Sequence, residues 1–148
     1  MNTFVFVLAA ASAVALVHGA TVKPAGNPVR EKVVALSKKC AADSKATPDQ
    51  AKIAFSQDLP KTETERCYLE CLYTGVGAVK DGGFNVEGAK KLASNRFTNS
   101  NELGLANKLI ESCAKEVAKK EGEKCSLGHS IRECFVKHGK EVNFFPSS

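Results

Sequence analysis

The chain has 148 residues, enough for one domain, and 43% of them are hydrophobic, as in an ordinary globular core. Its 21 basic and 16 acidic residues give a net charge of +5. Because residues of both signs alternate and form no dense basic patch, the composition argues against a nucleic-acid or anionic-membrane partner.

The first 19 residues are predicted to be a signal peptide. The run from Phe4 to Val17 contains only apolar and small residues, and Ser12 is its one mildly polar member. Its length suits the core of a signal peptide, whereas a membrane-spanning helix needs roughly 20 residues. We expect cleavage after Gly19, or next best after Ala20, so that residues 20–148 form a secreted, extracellular domain. A buried N-terminal helix is the alternative.

Start and stop signals divide the rest of the chain into six helices. Thr47 and Thr62 each open a capping box, and Asn27, Asn85, Asn99 and Ser126 are the caps expected for the other helices. No run alternates with the period of two that a strand requires, so we expect an all-α fold with no strand. The predicted helices run from Pro28 to Ala42, Pro48 to Gln57, Thr62 to Gly75 or Gly77, Val86 to Arg96, Asn99 to Lys120, and Leu127 to His138.

The third helix carries two cysteines, Cys67 and Cys71, four residues apart. Residues at this spacing lie on one helical face, so each cysteine can tie the helix to a different element. We do not expect them to bond to each other, because a disulfide needs Cβ atoms roughly 3.5–4.5 Å apart. Six cysteines in a short exported chain predict a disulfide framework, but their count leaves the pairing open.

The cysteine spacing, C-x26-C-x3-C-x41-C-x11-C-x8-C, resembles that of the insect odorant-binding proteins of the pheromone-binding and general odorant-binding type. The x3 and x8 spacings are diagnostic of that family, and the resemblance covers the whole mature chain. It implies a compact six-helix domain around an apolar cavity. It also implies interlocked disulfides, which here would be Cys40–Cys71, Cys67–Cys125 and Cys113–Cys134.

The resemblance also implies a function. Proteins of this type carry small hydrophobic ligands, odorants or pheromones, through aqueous extracellular fluid to chemosensory neurons, where a membrane odorant receptor is the expected partner. We expect a monomer or a weak homodimer. No G-x-S-x-G, H-E-x-x-H or phosphate-loop motif occurs, so nothing favours an enzyme.

Ligand contacts are expected from apolar and aromatic residues of helices three to six and from the tail. Tyr68 and Tyr73 each add a hydroxyl that suits an alcohol, aldehyde or ester. Phe144 and Phe145 are expected to close the cavity as a lid, with a frayed terminus as the alternative. Ordinary core packing is the alternative for the others. The candidates are Tyr68, Leu72, Tyr73, Val76, Leu92, Phe97, Leu109, Ile110, Val117, Ile131, Phe135, Phe144 and Phe145.

Zinc is the competing interpretation of Cys67 and Cys71. A structural zinc site needs further cysteine or histidine ligands close by. His129 and His138 stand nine residues apart, on poorly matched helical faces, so we expect no metal and no cofactor. These histidines could instead titrate between about pH 5 and 8 and release a ligand, or simply face solvent.

Two other functions stay open. Many members of the family are acidic whereas this chain is basic, which suits a carrier of non-odour hydrophobic molecules in another secretion. A membrane-active protein of the saposin type also has six cysteines and several helices. Its paired C-x2-C arrangement is missing here.

Overall fold

The computed structural model describes residues 28–142 and Phe144. The predicted signal peptide, the Asn27 cap and Phe145 lie outside this part of the chain. Six α-helices fill the described part: α1 Pro28–Ser44, α2 Pro48–Ala51, α3 Glu63–Val76, α4 Val86–Arg96, α5 Ser100–Glu116 and α6 Ser126–His138. Two 3-10 turns, Lys52–Phe55 and Gly139–Glu141, and a hairpin of strands β1 Val79–Lys80 and β2 Gly83–Phe84 complete it. None of the described helices is long and apolar enough to cross a membrane.

Helix α3 lies at the centre and packs against α1 and α6. It begins as predicted: the Thr62 hydroxyl accepts a hydrogen bond from the Glu65 amide, and the Glu65 carboxylate accepts one from the Thr62 amide. It ends at Gly77, whose φ of 90° lies in the left-handed region that glycine adopts at helix ends. Gly75, the other predicted end, lies inside the helix.

Three disulfides join the helices, and they are the three pairs that the resemblance implied. Cys40–Cys71 links α1 to α3, and Cys67–Cys125 links α3 to the residue before α6. Cys113–Cys134 links α5 to α6. Bridges that close loops of this length each stabilise a fold by roughly 2–4 kcal/mol.

The second helix is shorter than predicted. It starts with the predicted capping box at Thr47, but it continues as a 3-10 turn and stops at Phe55 rather than at Gln57. The carbonyl groups of Ile53 and Ser56 accept hydrogen bonds from the buried Arg132 of α6. The backbone therefore turns its carbonyl oxygens toward α6 instead of into a further helical turn.

The fifth helix also ends early. Asn99 caps it as predicted, with its side-chain oxygen accepting from the amides of Asn101 and Glu102. The prediction that it reaches Lys120 is wrong, because Val117 is extended, with a ψ of 119°. The chain leaves the helix there and continues toward Cys125, which the disulfide holds against α3.

Two predicted caps are wrong. Asn85 precedes α4, but its side-chain amide donates to the Gly77 carbonyl at 2.9 Å and does not cap the helix. Ser126 is the first residue of α6, and its hydroxyl accepts from the Lys120 amide at 2.9 Å. The residue at the cap position is Cys125, with a left-handed φ of 56°. Both side chains fasten the preceding loop rather than the helix.

The hairpin contradicts the expectation of no strand. Val79 pairs with Phe84, and Asp81 and Gly82 form the turn with φ values of 52° and 73°. Two consecutive left-handed residues are the signature of the tight turn that matches the twist of an antiparallel pair. Each strand has only two residues, which is too short to show an alternating pattern.

The buried side chains form two clusters. One lies among α4, α5 and α6, and the other lies among α1, the 3-10 turn Lys52–Phe55 and α3. Tyr73 of α3 packs against both clusters. The space between them is where an internal cavity can persist.

Candidate ligand-binding cavity

An apolar cavity lies between the two clusters. Side chains of α1, the 3-10 turn Lys52–Phe55, α3, α4, α6 and the C-terminal tail form its wall. The cavity volume is about 70 Å³, which exceeds the roughly 10–15 Å³ that one water requires.

A second hollow is larger but is a surface groove. About 410 Å³ lies beside the Cys40–Cys71 and Cys67–Cys125 bridges, and Lys39, Glu70 and Thr74 border it. Ligand sites for small apolar molecules are concave and mostly lined by hydrophobic side chains. The enclosed cavity fits that description better, so we take it as the candidate site.

Seven of the predicted ligand contacts line the cavity. They come from α3, α4, α6 and the tail, as expected for a cavity beside the central helix. They are Leu72, Tyr73, Val76, Leu92, Ile131, Phe135 and Phe144.

Five other predicted contacts lie elsewhere. Tyr68 is fully buried against α1, and its hydroxyl donates to the Ser37 hydroxyl at 3.0 Å. Phe97, Leu109 and Ile110 are buried in the core cluster of α4, α5 and α6, and Val117 packs on its edge. In the described part of the chain, these five residues pack in the core or at its edge rather than in the cavity wall.

The wall also contains residues that the sequence did not single out. Most are small or aliphatic, and two are arginines. They are Val29, Val33, Ala54, Leu69, Ala78, Ala89, Arg96 and Arg132. The helical spacing of α3 could have found Leu69, because residues 69, 72, 73 and 76 form one i, i+3, i+4, i+7 stripe.

Tyr73 contributes the one hydroxyl group in the described cavity wall. Tyr73 as a residue is only half-buried, but its hydroxyl oxygen is buried and makes no well-formed hydrogen bond with the part of the chain that the structure describes. Burial raises the pKa of Tyr73, and Arg132 opposes that rise through its positive charge and through a weak hydrogen bond to the hydroxyl. A buried hydroxyl of this kind can donate to a ligand that enters the cavity.

Arg132 brings a buried positive charge to the same wall. Only 1% of the residue is exposed. Its guanidinium donates to the carbonyl of Ile53 at 3.0 Å and to the carbonyl of Ser56. These bonds hold the planar group in place between α6 and the 3-10 turn. Its charge opposes the burial-induced rise in the pKa of both Tyr68 and Tyr73.

Arg96 contributes a second cation to the wall. Its guanidinium carbon lies 5.4 Å from the centre of the Phe97 ring, a distance at which a cation is attracted to an aromatic face. Burial lowers the pKa of Arg96, and Glu102 partly opposes that change.

Phe144 closes one side of the cavity. Its ring centre lies 4.6 Å from that of Phe135, in an edge-to-face arrangement, and 6.1 Å from that of Phe97. The tail thus supplies an aromatic ring to the wall, as the lid prediction requires. Whether the ring moves when a ligand enters stays a prediction.

Three side chains of the described residues lie close enough together to be possible metal ligands, but their chemistry does not fit a metal. Ligand atoms of Glu116, Cys134 and His138 lie within 4.8 Å of one another. The Cys134 sulfur is bonded to Cys113, so it cannot supply the thiolate that a metal needs. Glu116 instead accepts from Lys137 at 3.3 Å and contacts His138 at 2.8 Å. These bonds, the one from Lys137 foremost, lower the pKa of Glu116.

Comparison with known proteins agrees with this fold. A model of the PBP/GOBP family matches residues 24–138. The solved structure of odorant-binding protein dmelOBP28a from Drosophila melanogaster superposes with a TM-score of 0.64 at 18% identity, over 76% of this chain and 93% of that chain. No match was found among curated protein sequences. Since the family model spans well over half of the sequence, the chain belongs to the PBP/GOBP family, the pheromone-binding and general odorant-binding proteins of insects.

Proposed function

We propose that this protein is a secreted carrier that binds small hydrophobic ligands, odorants or pheromones, in its internal cavity. It would transport them through aqueous extracellular fluid to chemosensory receptors. The residues proposed to contact the ligand are the predicted contacts that line the cavity, with Tyr73 as the polar group that orients it. The family assignment supports a carrier rather than an enzyme.

The observation that carries the proposal is an apolar cavity whose wall contains one hydroxyl, that of Tyr73, with no well-formed hydrogen bond to the described residues. Burying apolar ligand surface there contributes about 25 cal/mol per Å². A hydrogen bond from Tyr73 would add orientation. Three disulfides support secretion, because such bonds persist in oxidising compartments.

The proposal can be tested by titrating the oxidised mature protein with a fluorescent phenylnaphthylamine probe. We expect saturable binding and displacement of the probe by apolar volatiles. Val76→Phe places a ring in the cavity wall, so we expect it to weaken probe binding by about tenfold or more, a loss of about 1.4 kcal/mol. Val34→Phe makes the same change at an exposed position of α1 and is the matched control.

Two results would contradict the proposal. Failure of the wild-type protein to bind the probe saturably would contradict the proposed carrier function. Equal affinities of Val76→Phe and Val34→Phe would place the binding site outside this cavity.

A further inference from the structure

We infer that α4 is the movable part of the cavity wall, and that a ligand enters and leaves when α4 separates from α5. The inference rests on the proposed carrier function and supplies the route by which the cavity is filled. The cavity has a volume of about 70 Å³, whereas pockets that bury small molecules have volumes of about 300–1,000 Å³. Part of the wall must therefore move outward when a ligand binds.

The disulfides limit which part of the wall can move. Of the four α-helices in the described wall, α1, α3 and α6 each contain a bridged cysteine. Helix α4 contains no cysteine, yet it supplies Ala89 and Leu92 to the wall. The 3-10 turn Lys52–Phe55 is held by the two hydrogen bonds from Arg132. Helix α4 is therefore the helix of this wall that can move without straining a bridge.

The packing of α4 also favours its displacement. Its fully buried side chains are two alanines, Ala89 and Ala93, whereas α5 buries Leu109 and Ile110 in the same core cluster. The stabilisation from burial rises with the apolar area removed from water. Two alanines therefore hold α4 in place less firmly than the larger side chains hold α5.

The N-terminal end of α4 is fixed to the end of α3. The Asn85 side-chain amide donates to the Gly77 carbonyl at 2.9 Å. Gly88 packs so closely there that an added β-carbon would lie 1.8 Å from the Gly77 carbonyl oxygen. The other end of α4 joins α5 through residues 97–99, and residues at the ends of elements can absorb a hinge motion. We therefore expect α4 to pivot at its N-terminal end.

One ion pair fastens the middle of α4 to α5. Lys90 Nζ lies 2.9 Å from Oε1 of Glu111. Glu111 is two residues before Cys113, whose bridge anchors this part of α5 to α6. The Lys90 side chain is 33% exposed and that of Glu111 is 59% exposed, and ion pairs that contact solvent are weak. This pair can therefore break and re-form as α4 moves.

The rate at which the probe leaves the cavity tests this role of α4. Oxidised mature protein loaded with the phenylnaphthylamine probe is mixed rapidly with excess octanol, and the fall in fluorescence gives the release rate. Lys90→Glu places a carboxylate beside Glu111, so we expect release to be about threefold to tenfold faster than in the wild type. The double variant Lys90→Glu, Glu111→Lys restores the attraction with the charges exchanged, and its release rate should lie within about twofold of the wild-type rate.

Lys52→Glu is the matched control. It reverses the same charge and breaks a comparable ion pair, in which Lys52 Nζ lies 2.6 Å from Oδ1 of Asp49, at a position outside the cavity wall. We expect it to release the probe at the wild-type rate.

Hydrogen exchange of the ligand-free protein gives an independent measurement. We expect the amides of α4 to exchange faster than those of α3 and α6, because a segment that opens locally loses its protection. Exchange in α4 should be faster still in Lys90→Glu and slower when the probe is bound. The protection of α3 and α6 also shows that each variant is folded.

The outcomes separate this inference from the proposed function. If the wild type binds the probe saturably but Lys90→Glu and Lys52→Glu release it at the same rate, the inference about α4 is wrong and the carrier function stands. Equal protection of the α4 and α3 amides would also contradict the movement of α4. If the double variant releases the probe as fast as Lys90→Glu does, the ion pair does not hold α4 closed, and the inference is again wrong. If the wild-type protein fails to bind the probe, both proposals are wrong.

Discussion

Replacing Tyr73 by phenylalanine should stabilise the ligand-free protein. The substitution keeps the ring and removes only a buried hydroxyl that makes no well-formed hydrogen bond with the described residues. Leaving such a group unpaired costs about 1–3 kcal/mol. Because Tyr73 is only half-buried and Arg132 lies near its hydroxyl, we expect the lower end of that range, a gain of about 1 kcal/mol in the free energy of unfolding.

The same substitution at Tyr68 should have the opposite effect. Tyr68 is fully buried, and its hydroxyl donates to Ser37 at 3.0 Å. Removing one neutral hydrogen bond costs about 0.5–1.5 kcal/mol. The two Tyr→Phe variants are thus chemically identical changes on one helix with free energies of unfolding that differ by about 2 kcal/mol.

Equilibrium unfolding in urea under oxidising conditions measures this difference. The disulfides constrain the unfolded state equally in both variants, so the slopes should agree and the midpoints should separate. Destabilisation of Tyr73→Phe by more than about 0.5 kcal/mol would refute the reasoning, because it would mean that the hydroxyl is hydrogen-bonded in the free protein.

Alkaline pH offers a second measurement. Burial raises the pKa of both Tyr68 and Tyr73. A tyrosine in the unfolded chain ionises near about pH 10, whereas the native hydroxyls resist ionisation. Stability is therefore present below about pH 10 and falls as pH rises above it. Tyr73→Phe should lose less stability over that interval than the wild type, and equal losses would contradict the assigned burial of the hydroxyl.

Phe144→Ala should weaken probe affinity by about threefold to tenfold, because the ring closes one side of the cavity. Unchanged affinity in the same titration would contradict the prediction that this residue acts as a lid. Gly128→Ala places a methyl group against the α3 backbone and should cost about 1–3 kcal/mol in thermal unfolding. Gly104→Ala meets nothing within 4 Å and should gain about 0.5–1 kcal/mol, so equal effects would argue against the close packing of α3 and α6. Replacing Cys67 and Cys125 together by serine should cost about 2–5 kcal/mol in urea unfolding, and a loss below about 1 kcal/mol would contradict the structural role of that bridge.

Local signals predicted much of the helical frame. The boundaries of α4, Val86–Arg96, follow directly from its sequence, and the capping boxes at Thr47 and Thr62 form as expected. The capping boxes depend on hydrogen bonds between residues three apart, so the sequence alone predicts them. The disulfide pairing came from the family's cysteine spacing rather than from any local rule.

Contacts between distant elements were harder to predict. Arg132 follows Ile131 on α6, and a charged residue beside an apolar face would ordinarily face solvent. It is buried because the 3-10 turn, about 80 residues earlier in the chain, offers two carbonyl groups to the guanidinium. Both carbonyls can accept from the guanidinium because the second helix stops early and the chain turns at Ser56. The burial of Arg132 and the early end of the second helix therefore depend on each other, and no local sequence signal predicts either.

The two tyrosines show where helical geometry could have corrected the prediction. Tyr68 and Tyr73 are five residues apart, and at about 100° per residue they point about 140° away from each other. They cannot both face one cavity. The stripe that includes Leu69, Leu72 and Val76 contains Tyr73 and excludes Tyr68, which matches the wall that the structure has.

The same geometry explains how the cavity is kept open. On α3, Cys67 and Cys71 each precede a cavity residue, Leu69 and Tyr73, by two positions, which is about 200° around the helix. The bridged face and the cavity face of α3 are therefore opposite. A void between helices can be removed if a neighbouring helix moves inward. Here α1 and α6 contribute to the same wall, and both are tied to the far side of α3, with Cα separations of 5.6 Å and 4.8 Å at the two bridges. Neither helix can close over the stripe that contains Tyr73 without straining its bridge, so the disulfides preserve a space that an unbridged core of this size would fill.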